Sequence, residues 1–169
     1  MGTAIRLVEP GQNEQLAQLE SKTGRPNNFF RTMAHRPEVL KNFVPLYASV
    51  VGAGSVERRL KELVYLAVSF ANECLYCSTS HTASSKRAGL TADDIEAVRL
   101  EQDHRFSDPE RAALAYAREL TRTAEGQDTR EGLYEHFNDQ QIVEITLVAA
   151  MANFTNRFNN GLAVKPEES

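Results

Sequence analysis

Cys74, Cys77 and His81 stand three and four residues apart in the stretch Glu62 to His81, ELVYLAVSFANECLYCSTSH, which holds both cysteines of the 169-residue chain. Residues at this spacing share one face of a helix, so two thiols and an imidazole come within mutual reach. A C-x2-C pair can close a disulfide with little backbone movement, because its Cα separation of about 5–6 Å lies in the bridgeable range. The nucleophile in such chemistry is the thiolate, and a helix N-terminus or a neighbouring imidazolium can lower a thiol pKa from about 8.5 to roughly 3.5–7.5. Cys74, nearest the helix start, has the stronger claim on the helix dipole. Cys77, one turn from His81, has the stronger claim on the imidazole.

Plainer readings of the motif exist. Two cysteines at this spacing can be small buried apolar residues. A structural zinc site wants four nitrogen or sulfur ligands, yet there is no third cysteine, and His35, His104 and His136 show no ligand-like spacing to the motif. No metal or other cofactor is therefore expected. A thioredoxin-type C-x2-C follows a β-strand in a βαβ pattern, whereas the residues before Cys74 look helical.

Read together with Glu62, the motif becomes E-x11-C-x2-C-x3-H. This resembles the active-site signature of the alkyl hydroperoxidase D-like branch of the carboxymuconolactone decarboxylase superfamily, and the likeness extends loosely from Arg25-Pro26 to the run Asn156 to Asn160. The resemblance implies an all-α fold and a thiol peroxidase in which Cys77 meets the peroxide, Cys74 resolves it, and His81 and Glu62 move protons. It also implies a homo-oligomer, a trimer or hexamer. Some peroxidases of the branch carry a histidine just before the second cysteine as part of a proton relay; Tyr76 stands there here, so the relay is shorter or this tyrosine carries part of it.

Composition narrows the class. With 23 acidic against 19 basic residues, a net charge of −4 and scattered Lys and Arg, the chain lacks the basic footprint of a nucleic-acid binder. No run of 18 apolar residues marks a membrane span, the N-terminus lacks a signal-peptide pattern, and Arg6 stands where a myristoylation site wants Ser or Thr. A soluble cytoplasmic protein is expected. In a reducing compartment a C-x2-C pair is more often catalytic or metal-binding than a structural staple.

The elements that must position the motif read as helices throughout, about seven to nine of them in one domain with a core over about 25–163. Asn13 to Thr23 carries Leu16 and Leu19, and Asn28 is a candidate cap for a short helix through Met33. Pro37 starts a longer one whose Leu40, Phe43, Val44, Tyr47 and Val51 form a core stripe that can also wall the thiol pocket. Ser55 is a candidate cap for Val56 to Ala71. That helix is apolar almost all round, and Glu62, Ser69 and Glu73 fill the narrow wedge left over, which is either a solvent stripe or an internal polar seam. Periodicity cannot choose between these; the motif match favours the seam, and burial would then raise the Glu62 pKa. Asn72 to Cys74 reads as a break, and the motif helix ends at Gly89. Thr91 with Asp94 and Ser107 with Glu110 read as capping boxes. The last long helix starts at Asn138-Asp139, and its Glu144 to Asn153 echoes Glu62 to Asn72, a weak internal repeat that sets Asn156 and Asn159 where Cys74 and Cys77 stand. The tail 165–169 reads as flexible.

The expected partners are thus a small peroxide, a dithiol reductant or reducing protein, and further copies of the chain, with no nucleic acid and no membrane. A decarboxylase-like proton-transfer enzyme and a non-catalytic redox sensor or scaffold are the competing functions. The decarboxylase branch generally lacks the C-x2-C pair.

Overall fold

The computed structural model describes residues 5–167. The chain is all-α: the described residues form nine α-helices with 3-10 turns at Pro10–Gln12 and Asp103–Arg105, and no strand. The helices are α1 (Glu14–Thr23), α2 (Asn28–Met33), α3 (Pro37–Val51), α4 (Arg58–Ala71), α5 (Leu75–Arg87), α6 (Ala92–Arg99), α7 (Asp108–Thr123), α8 (Arg130–Tyr134) and α9 (Asp139–Gly161).

The middle of the fold is α4. Every residue from Leu60 to Ser69 is buried, because α5, α6, α7 and α9 all pack against it; a helix apolar on nearly every side needs such a jacket. A second apolar cluster of Phe29, Met33, Leu40 and Phe43 surrounds Cys74, Tyr76 and Cys77. The thiols therefore sit where α2, α3 and α9 close over α5.

Caps set the element ends. The side chains of Asn13, Asn27, Thr91 and Asn138 each accept a backbone N–H at the start of their helices, and the boxes at Thr91–Asp94 and Ser107–Glu110 are both formed. Two starts differ from the sequence reading. Asn27 rather than Asn28 caps α2, and Ser55 instead donates its N–H and its hydroxyl to Glu144 of α9, leaving α4 to begin at Arg58. Glu144 also pairs with the buried Lys61, whose ammonium donates to the Val50 and Gly52 carbonyls at the end of α3. This cluster ties α3, and with it Tyr47, to the middle of α4.

The turn between α4 and α5 is tight. Cys74 N–H donates to the Ser69 carbonyl at 2.9 Å, and Glu73 takes φ +50, a left-handed residue closing a helix in the manner usually served by glycine. Gly89, at φ +89, does the same job at the end of α5, where Leu90 N–H reaches the Ser85 carbonyl at 3.0 Å. The sequence echo between α4 and α9 has no second break: α9 runs unbroken to Gly161, past the point equivalent to Asn72. Of the tail read as flexible, residues 168–169 lie outside the described residues. Glu167 accepts from the Tyr76 hydroxyl at 2.8 Å and from Asn28 N–H at 2.7 Å.

Candidate active site

The first turn of α5 is built on a thiol. Cys74 is its N-cap residue, and its Sγ accepts the Cys77 backbone N–H at 3.4 Å. Both cysteines are free and buried. Cys77 Sγ also accepts from Asn159 Nδ2 of α9 at 3.2 Å. The two thiols are pushed apart in acidity. Hydrogen bonding to Cys74 lowers the Cys77 pKa against the opposing effect of burial, with Asn159, Asn156 and Thr155 adding to the lowering. Cys74, hydrogen-bonded to a sulfur that prefers to be thiolate and itself desolvated, is raised. Of the two claims that spacing left open, Cys77 holds the more acidic thiol, because the helix start spends its first N–H on Cys74 while α9 brings further donors to Cys77.

Glu62 lies in an internal seam: it is only 8% exposed, and its Oε2 meets His81 Nδ1 at 2.9 Å. Ser84 donates to its other oxygen, and Ser85 donates to Oε2 at 3.4 Å. Burial pushes the carboxyl pKa up, but the hydrogen bond and charge of His81, with Ser84 and Arg58, outweigh it and hold Glu62 below the ordinary carboxylate range. The sequence reading expected a raised value; the partners that burial brought with it reverse the direction. Of the wedge, Ser69 is buried with Glu62 and Glu73 is exposed.

His81 is held from three sides. Beyond Glu62, its Nε2 lies 3.3 Å from the Tyr47 hydroxyl, and the Tyr65 ring stacks on it at 3.5 Å between centroids and 13° between planes. Tyr65 in turn bonds Thr155 at 2.5 Å. The Tyr47 ring packs edge-on to Tyr65, 6.5 Å between centroids, and Thr155 adds to the lowering of the Cys77 pKa. Hydrogen bonds therefore join Glu62, His81 and Tyr47, and a second pair, Tyr65 and Thr155, lies between them and Cys77. Desolvation raises the pKa of both tyrosines, so each stays a neutral hydroxyl able to donate and accept.

Tyr76, the residue next to Cys77, stands apart from these groups. Its hydroxyl faces Glu167, Asn27 at 3.4 Å and the Phe29 N–H at 3.3 Å. Sequence reading missed Tyr65, Thr155 and the role of Asn159, and took Tyr47 first as core.

Cys77, His81 and Asn159 line a cavity of about 200 Å³ whose walls include Phe29, Phe30, Tyr47 and Tyr65 and whose rim includes Arg25 and Arg87. A larger cleft of about 750 Å³ meets Glu62 and His81 too, lined by Arg58 and the Gly52–Gly54 loop. Among the described residues no group of three or more His, Cys, Asp or Glu could hold a metal ion. His104 and His136 are exposed, and His35 Nε2 bonds the Arg6 carbonyl at 2.6 Å.

An all-α chain with two unlike thiols at a helix start and an acid–imidazole pair behind them defines a class of helical dithiol proteins. The profile of the Carboxymuconolactone decarboxylase family matches residues 37–119. The fold is similar to the alkylhydroperoxidase AhpD core of an uncharacterized peroxidase-related protein from Ralstonia eutropha JMP134, with a TM-score of 0.86 and 22% identity over 98% of this chain and 93% of that one. It is also similar to an Agrobacterium tumefaciens protein of unknown function, described as a putative antioxidant defence protein AhpD, with a TM-score of 0.73 and 28% identity over 80% of this chain and 95% of that one. The uncharacterized protein YdfG of Bacillus subtilis (strain 168) is 28% identical over 110 residues, 62% of this chain and 74% of its own. The chain thus has an AhpD-like fold, and its residues 37–119 match the Carboxymuconolactone decarboxylase family.

Proposed function

We propose that the chain is a thiol peroxidase working through Cys77 and Cys74. The observation that carries this reading is the setting of the pair: Cys77 lines the cavity and its sulfur accepts from Asn159, while Cys74, one turn away, holds the Cys77 N–H and lies behind it. Cys77 thiolate attacks the terminal oxygen of a hydroperoxide and the O–O bond breaks. The departing alkoxide takes a proton and leaves as an alcohol, and Cys77 becomes a sulfenic acid. Cys74 gives up its proton and attacks the Cys77 sulfur; water leaves and a disulfide forms, which an external dithiol reduces by exchange. His81, backed by Glu62, supplies and recovers the protons. Cys74 suits the resolving role because it stays a protonated, poorly nucleophilic thiol until Cys77 is oxidised.

A decarboxylase-like proton-transfer enzyme would use the Glu62–His81 pair and would not need the thiols. The two readings separate in one experiment: peroxide consumption in the presence of a dithiol, measured for the wild type, Cys77→Ser and Cys74→Ser. The proposal expects turnover in the wild type, none in Cys77→Ser, and a dimedone adduct on Cys77 when Cys74→Ser meets one equivalent of peroxide. Equal consumption by the wild type and Cys77→Ser would overturn it.

A further inference from the structure

We propose that the thiol cavity is built for an elongated organic anion, and that the natural hydroperoxide carries a carboxylate-type head at the end remote from its O–O bond. For the reactive end this rests on the peroxidase reading above; the anion-binding end stands on the rim of the cavity alone. Arg25, in the turn between α1 and α2, and Arg87, in the last turn of α5, both line the cavity that holds Cys77. Both are exposed, and neither makes an ion pair among the described residues. On a chain of net charge −4, two uncommitted guanidinium groups converging on one small apolar-walled cavity call for a ligand charge, since planar guanidinium forks match carboxylate geometry. Glu167 borders the adjoining cleft with Arg25 without pairing with it, and its Oε1 is held by the Tyr76 hydroxyl and the Asn28 N–H.

The spacing sets the ligand's shape. Arg87 lies ten residues beyond Cys77 on the same helix, about 15 Å along the axis, and its side chain leans back toward the N-terminus. Hydrogen peroxide cannot touch both ends, whereas an extended chain of medium length can. A cavity of about 200 Å³ is smaller than the roughly 300–1,000 Å³ of drug-sized sites, which fits a slender aliphatic or monoaromatic body against Phe29 and Phe30. At the inner end, Asn159 Oδ1 is buried with no partner, beside the amide nitrogen that holds the Cys77 sulfur. A hydroperoxide brings one O–H donor to that place, and the hydrogen stays on the oxygen that passes to sulfur.

The test needs no turnover. Alkylation of Cys77 by iodoacetamide is followed by mass in Cys74→Ser protein with either octanoate or octan-1-ol added, and the ratio of their half-protecting concentrations is taken within each variant, which cancels any change in the basal rate. Octanoate should protect at about tenfold lower concentration than the alcohol. The Arg25→Gln/Arg87→Gln variant should lose that preference, and the Arg25→Lys/Arg87→Lys variant should keep part of it. Equal protection by acid and alcohol, or a preference that survives both glutamines, overturns the inference. A second arm compares 8-hydroperoxyoctanoate with its methyl ester as substrates. Consumption of both at equal efficiency leaves the peroxidase standing and removes the anion site. Octanoate protection without any peroxide consumption leaves the anion site standing and removes the peroxidase.

Discussion

Asn159 donates to the Cys77 sulfur from α9 while Cys74, one turn away, holds the Cys77 N–H, and this surrounding favours the Cys77 thiolate. The alkylation rate of Cys77 should therefore rise through a midpoint below the ordinary thiol range, since the folded site favours the charged form. A hydrogen bond to a charged group is worth about 1.5–3 kcal/mol, so Asn159→Ala is expected to move that midpoint up by roughly one pKa unit or more. A pH profile of iodoacetamide reactivity reads this directly. Glu62 acts one residue further back. Glu62→Gln keeps the size of the side chain but removes its charge from His81, and peroxide reduction is expected to slow by about 10²–10⁴, followed as single-turnover oxidation of Cys77. An unchanged rate would make the Glu62–His81 contact a structural one.

At the scale of helices, the α4–α5 turn balances one constraint against another. Glu73 must sit in the left-handed region so that Cys74 can end α4 and begin α5, and a side chain there costs about 1–2 kcal/mol relative to an unstrained residue. Glycine relieves that strain at some cost in chain entropy. Glu73→Gly, at an exposed position, should raise stability by about 0.5–1 kcal/mol in urea unfolding. The contrast with Gly89 explains what could be read from the sequence. The end of α5 was legible because glycine marks it; the conformation at Glu73 was not, because nothing about a glutamate signals a left-handed turn. The cysteines and His81 were legible for the same kind of reason, being neighbours on one helix face. Glu62 was half legible: its spacing matched, but α4 is apolar on nearly every side and gives periodicity no direction. Tyr65 and Thr155 come from α4 and α9 and meet His81 and Cys77 only through packing. Asn159 carried a faint signal, the α4–α9 echo that set it in register with Cys77, but its residue type does no covalent chemistry.

Over the whole molecule, apolar surface is distributed unevenly. The seam between α3 and α9 leaves Val39, Leu46, Leu147 and Phe154 exposed along a groove of about 510 Å³, and contiguous patches of this kind mark contact surfaces. No helix among the described residues is long and apolar enough to cross a membrane. We propose that copies of the chain cover the groove. Light scattering at micromolar concentration is expected to give a trimer or hexamer, and Leu46→Glu with Leu147→Glu to shift it to the protomer mass. A wild-type protomer mass would remove the assembly. Phe43, which lines the groove, stacks on Tyr47 at 5.5 Å between ring centroids, so assembly would also support the wall of the thiol cavity.

In the proposed redox cycle the side chain that opens α5 is itself a reacting thiol, so the amide proton of Cys77 would keep time with it. In the reduced protein that proton is tied to Cys74 Sγ. Once the sulfur has entered a disulfide it is a weaker acceptor with its position dictated by the new bond, and the first turn of α5 loses its fastening. Deuterium uptake at Cys77 and Ser78 should then accelerate on oxidation and slow again on reduction, while the buried middle of α4 stays protected in both states. A reductant would meet the oxidised chain at a turn less firmly held than in the reduced one.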